Sequence, residues 1–128
     1  MDEKNRQYIL ILDPERDTAE LFSRALESYH SCKCYWVKTA PEAKRLLSEI
    51  PFNLMLADIG TLLRDRFLLL DAVRELDCNT MVIVDGYLNE KEDVRRAIEK
   101  GACGHFIKPI MVSSLRKIID KFCVRERV

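Results

Sequence analysis

The sequence predicts a doubly wound α/β domain, a parallel sheet with helices on both faces, and three observations carry that expectation. Five β-capable apolar runs recur at broadly even spacing, segments of helical period separate them, and capping and stop signals mark the helix ends. Strands alternating with helices of this length imply right-handed crossovers and a sheet covered above and below. The 128 residues suit one such domain, expected over 1–128 with its core in about 7–125. A chain of that size buries roughly 65–70% of its unfolded surface and needs no staples.

The first strand is read from Tyr8 to Leu12, apolar on successive residues as a central parallel strand must be. Leu21, Phe22, Ala25, Leu26 and Tyr29 then form one stripe of a helix, with Asp17-x-x-Glu20 as its capping signal. The second strand runs from Cys34 to Val37. Its helix carries Ala43, Leu46, Leu47 and Ile50, opened by Thr39-x-x-Glu42, with Pro41 in the first turn where a missing N–H costs nothing. Leu54 to Ala57 is the third strand, again continuously apolar. The stretch from Ile59 to Arg66 follows, in which Leu62, Leu63 and Phe67 fit either core or an apolar edge. Phe67, Leu70, Ala72 and Val73 give the third helix its stripe. Met81 to Val84 is the fourth strand; Val94, Ala97 and Ile98 mark the next helix, with Asn89-x-x-Glu92 before it and Gly101 at its end. His105 to Ile107 and a helix through Leu115, Ile118, Ile119 and Phe122 complete five strand–helix units.

Composition narrows the function. Acidic and basic side chains balance at 21 each, so no general attraction to nucleic acid or an anionic membrane surface is expected. No apolar run is long enough to span a bilayer, and the charged start lacks a secretory leader's apolar stretch, which points to the cytoplasm. The five cysteines, Cys32, Cys34, Cys78, Cys103 and Cys123, suit reduced thiols. Cys32-x-Cys34 lacks the C-x-x-C spacing of redox and zinc sites, and His30 and His105 stand alone, so packing as small hydrophobes is the plainer reading of the cysteines.

In open α/β sheets the functional crevice lies beyond the carboxyl ends of the strands. There the chain places Asp13 after the first strand, Asp58 after the third, Asp85 after the fourth and Lys108 after the fifth. Carboxylates gathered beside one ammonium suit a hard divalent cation and a phosphoryl group.

The stretch Asn53-Leu-Met-Leu-Ala-Asp58 resembles the third strand of response-regulator receiver domains, the flavodoxin-like modules of two-component signalling. Ile9-Leu-Ile-Leu-Asp13 resembles their first strand. Phe106-Ile-Lys108-Pro109 resembles their fifth, with the lysine before a proline that is a cis candidate, and Gly101-Ala102 fits just upstream. The likeness covers about residues 7–125. It implies the strand order 2-1-3-4-5 and a phosphorelay role in which Asp58 accepts a phosphoryl group from a histidine kinase, a phosphotransfer protein or a small donor. It further implies Lys108 as partner of Asp58 and Mg²⁺ held by Asp13, Asp58 and the backbone carbonyl of Gly60. Asp85 and His105 would be the switch positions. Beyond self-phosphorylation and autodephosphorylation at Asp58, no enzymatic activity is implied.

Several positions depart from the family pattern. Pro14 replaces the second acid of the usual pair, making Glu15 the alternative metal ligand. Asp85 stands where receivers carry Thr or Ser. An ionised carboxylate cannot donate to a phosphoryl group, and at roughly 4 Å with an effective dielectric near 20 it repels that group by about 4 kcal/mol per charge pair. Asp85 equally suits a further cation ligand, or a partner for Lys108 that imitates the activated state without phosphate. His105 replaces the common aromatic switch residue and also reads as a packed or solvated histidine.

Two signalling functions therefore stand side by side. One is a phosphorylatable receiver acting on a downstream protein partner. The other is a phosphorylation-independent interaction module working through the surface around the fourth helix, fifth strand and fifth helix. The last helix also offers an apolar stripe for a homodimer, which core packing explains equally. A flavin carrier is disfavoured by the loop Asp13-Pro-Glu-Arg-Asp17, which carries acids and a proline without an amide donor where a phosphate would need amides.

Overall fold

In a computed structural model, which describes residues 6–29, 31–76 and 79–123, the chain folds as the α/β sandwich expected from the sequence. Strands β1 (Gln7–Leu12), β2 (Cys32–Val37), β3 (Leu54–Asp58), β4 (Met81–Gly86) and β5 (Gly104–Ile107) pair in parallel in the order β2-β1-β3-β4-β5. Helices α1 (Arg16–Glu27), α2 (Ala40–Glu49), α3 (Ile59–Arg64), α4 (Leu68–Glu75), α5 (Lys91–Glu99) and α6 (Val112–Cys123) connect and close them. His30 and Cys78 lie outside the described residues, as does the chain beyond 123. No helix among the described residues is long and apolar enough to cross a membrane.

Alternation along the strands builds two cores. Ile9, Ile11, Leu54, Leu56, Ile83 and Phe106 face α1 and α6. Leu10, Leu12, Met55, Ala57, Val82 and Val84 face α2, α3, α4 and α5. Both faces of β1 and β3 are therefore dry, which explains their uninterrupted apolar runs. At about 25 cal/mol per Å² of apolar surface removed from water, these two layers are the main stabilising contribution.

The structure departs from the sequence reading at several elements. Two helices, α3 and α4, follow β3 in place of one. Arg66 and Phe67 between them adopt φ of 56° and 60°. Leu62 and Phe67 are core and Leu63 is exposed, so the segment after Asp58 is packed rather than looped out. Asp17 is not the cap of α1; the helix starts one residue before it, at Arg16, with Glu15 at the N-cap. Asn89 is not the cap of α5 either. It sits in a 3₁₀ turn (Leu88–Glu90) whose Glu90 carboxylate accepts from the Tyr87 amide at 2.8 Å. Leu21, Tyr29 and Ile98, read as stripe residues, are exposed, and α1 packs through Ala19, Phe22, Ala25 and Leu26 instead. Thr39 and Glu42 do form a reciprocal capping box, with Pro41 in the first turn, and Gly101 takes φ of 116° after α5.

Candidate functional site

Strand alternation assembles the site. Asp13, Asp58, Asp85 and Lys108 continue the rows of Ile11, Leu56, Ile83 and Phe106, so all four emerge at the carboxyl edge on the α1–α6 side. Asp58 and Asp85 are direct register partners, and the amide of Lys108 is held by the Gly86 carbonyl at 2.8 Å. The Lys108–Pro109 peptide is cis.

Lys108 Nζ stands among the three carboxylates, 3.1 Å from Asp58 Oδ1, 3.1 Å from Asp85 Oδ1 and 3.4 Å from Asp13 Oδ2. All four side chains are buried. One ammonium cannot neutralise three carboxylates, so the pocket is electronegative and short of counter-charge. Burial raises the Asp13 pKa, opposed by the Glu15 amide, which donates to Oδ1 at 2.8 Å, and by Lys108. Asp85 is pushed up to about 7, first by burial and then by the neighbouring carboxylates, against the pull of Lys108. Lys108 itself is raised, because the three carboxylates outweigh the opposing effect of burial. Asp85 Oδ1 is buried and meets the Lys108 ammonium at 3.1 Å.

Residues that sequence reasoning missed complete the surroundings. Asp58 is the N-cap of α3, and its Oδ2 accepts from both the amide and the hydroxyl of Thr61 at 2.9 Å. Arg64 Nη2 donates to the same hydroxyl at 3.3 Å. The spacing Asp58-x-x-Thr61 is an N-cap signal and was legible. The Trp36 indole donates to the Asp13 carbonyl at 2.8 Å, and the Tyr87 ring lies 5.1 Å from Lys108 Nζ. Neither carries a local sequence signal. A cleft of about 420 Å³ opens alongside, lined by Pro14, Lys38, Thr39, Pro41, Thr61 and Arg64.

Three other expected residues surround this pocket differently. Glu15 is exposed, with its carboxylate accepting from Thr18 at 3.3 Å. Its amide, rather than its acid, serves the site, by donating to Asp13 Oδ1. Gly60 lies in the first turn of α3, directly beside Asp58. A Cβ there would stand 3.2 Å from Asp58 Oδ2, so glycine gives the carboxylate room. His105 pairs with Val84 on the other face of the sheet and is exposed.

Oxygens of Asp13, Asp58 and Asp85 lie within 4.8 Å of one another, an all-carboxylate donor set that fits a hard divalent cation.

Known proteins resemble this chain in family and fold. Residues 9–120 match the family model of the response regulator receiver domain. The chain is 29% identical over 123 residues to an uncharacterised 14.6 kDa protein of Leptolyngbya boryana, covering 91% of this chain and 89% of that one. It is 27% identical over 114 residues to an uncharacterised response regulatory protein of Staphylococcus epidermidis, covering 88% of this chain but only 45% of that protein's length. A two-component response regulator from Clostridium difficile superposes with a TM-score of 0.83 at 20% identity, covering 95% of this chain and 99% of that one.

Proposed function

The chain belongs to the response regulator receiver domain family, and we propose that Asp58 is its phosphoacceptor. The observation that carries the reading is the 3.1 Å contact between Asp58 Oδ1 and Lys108 Nζ inside a buried acidic pocket at the sheet's carboxyl edge. Thr61 holds Oδ2 with two hydrogen bonds, which leaves Oδ1, on the ammonium side, as the attacking atom. Oδ1 attacks the phosphorus of a phosphohistidine or acyl phosphate. The bond to the donor's leaving group breaks, that group takes the electron pair, and an acyl phosphate forms on Asp58. Lys108 then moves its pairing from the carboxylate to a phosphoryl oxygen. Lys38 and Arg64 at the cleft attract the anionic donor.

Mg²⁺ is the cation this reading requires, held by Asp13, Asp58 and, in place of the acid lost at Pro14, Asp85. When bound, it neutralises carboxylate and phosphoryl charge. This assigns Asp85 to the cation rather than to a hydroxyl-type switch; His105 keeps the second switch position on β5. The partners are a histidine kinase or phosphotransfer protein, with a cytoplasmic location following from the kinase's need for ATP, and a downstream protein.

Incubation with acetyl phosphate and Mg²⁺, followed by intact-mass measurement, tests the proposal. A gain of one phosphoryl group, absent in Asp58→Asn and with EDTA, is expected. An unchanged mass, while a receiver of known activity responds alongside, would leave only the phosphorylation-independent reading.

A further inference from the structure

The cleft beside the acidic pocket has the size and charge to do more than attract a donor. Its volume of about 420 Å³ falls in the range of small-molecule sites. Thr61 joins cleft and pocket: it lines the one, and its buried hydroxyl donates to Asp58 Oδ2 at 2.9 Å in the other. Two cations line the cleft as well. Arg64 Nη2 donates to the Thr61 hydroxyl at 3.3 Å. A Cβ on Gly60 would lie 3.2 Å from Asp58 Oδ2 and 3.7 Å from Arg64 Nη1, so one point beside the glycine is close to both groups. Lys38 Nζ stands 5.5 Å from the centre of the Trp36 ring, whose indole donates to the Asp13 carbonyl at 2.8 Å. Among the described residues neither cation forms an ion pair. Of the acids nearby, Asp65 Oδ2 is held by the Leu69 amide at 2.7 Å, and Glu42 Oε1 by the amides of Lys38 and Thr39 at 3.2 Å. The lining itself sets two cations against one carboxylate.

That excess charge distinguishes donors by their leaving groups. When Asp58 Oδ1 attacks an acyl phosphate, the P–O bond breaks, the acyl oxygen keeps the electron pair, and a carboxylate departs with no proton transferred. A donor of the phosphoramidate kind, already protonated on nitrogen, breaks its P–N bond and releases a neutral amine. Cations lower the barrier only where negative charge develops in the transition state. Resting on the reading of Asp58 as phosphoacceptor, we propose that Lys38 and Arg64 receive the departing carboxylate of a small acyl phosphate. Its alkyl group packs against Pro14, Ala40 and Pro41, and the site is thereby selective for acyl over N-phosphoryl donors.

Rates of phosphorylation by acetyl phosphate and by phosphoramidate in Mg²⁺, followed by intact mass, test this through their ratio. Lys38→Met and Arg64→Met should each lower the ratio of acetyl phosphate rate to phosphoramidate rate by roughly tenfold. That is less than a buried oxyanion donor supplies, because both cations are exposed. Arg64→Lys should restore most of the ratio, which separates the charge from the bond to Thr61. Arg45→Met removes an α2 cation outside the cleft and should leave the ratio unchanged. A ratio unaltered in both Lys38→Met and Arg64→Met, or lowered equally in Arg45→Met, overturns the assignment and leaves Asp58 as acceptor. No label from either donor contradicts the acceptor reading, and this inference with it.

Discussion

Asp85 is the residue where electrostatics and function meet most sharply. Its pKa stands at about 7 in the fold, above the ordinary carboxylate value, so the folded state holds a proton that the unfolded chain releases. In metal-free protein, stability should therefore fall as pH rises from the ordinary carboxylate range toward 7, by at most about 1.4 kcal/mol per pH unit. Asp85→Asn should flatten that slope and be the more stable form above the window. Denaturant midpoints measured across the range in EDTA check this; an unchanged slope would mean Asp85 is ionised throughout. Thr61→Val removes the hydroxyl between Asp58 and Arg64 and should cost about 1–2 kcal/mol, read by the same midpoints. Arg66 offers the opposite case. At φ of 56° and exposed, it pays a left-handed penalty that glycine avoids, so Arg66→Gly should stabilise by about 0.5–1 kcal/mol after the entropy cost of glycine. The site residues Asp13, Asp58, Asp85 and Lys108 were legible because each directly follows a recognisable strand. Trp36 and Tyr87 were not, because what brings them near is register between elements, and register leaves no local mark.

Among the elements, the strands were the most legible and the third connection the least. Burial on both faces forces β1 and β3 to be apolar throughout, a pattern that survives without neighbours. The segment after Asp58 carries an N-cap, two core leucine and phenylalanine positions and two left-handed residues, and those signals conflict when read singly. Packing of Leu62 and Phe67 decides the matter by breaking one helix into α3 and α4. The misplaced starts of α1 and α5 have a common cause: a serviceable cap spacing is outvoted where the core-facing stripe begins. At α2 the two signals coincide. Thr39→Ala should lower stability by about 1 kcal/mol, measured by thermal or denaturant unfolding, and Asp17→Ala by much less, since Asp17 caps nothing.

At the scale of the whole molecule, the sheet's parity is what turns four distant residues into one pocket. Odd and even positions of each strand feed separate cores, and the row facing α1 and α6 ends in three carboxylates and a lysine. Truncating that row should loosen the site as well as the fold. Leu56→Ala, fully buried two residues before Asp58, should cost about 2–5 kcal/mol by denaturant unfolding. The central claim is that this pocket makes Asp58 the nucleophile. Borohydride reduction after treatment with a phosphodonor, followed by peptide mapping, tests it most directly, because an acyl phosphate on aspartate is converted to homoserine. The account predicts homoserine at position 58, with the signal lost in Lys108→Met. Homoserine at position 13 or 85 instead, or none at 58 under conditions that label a known receiver, would contradict it.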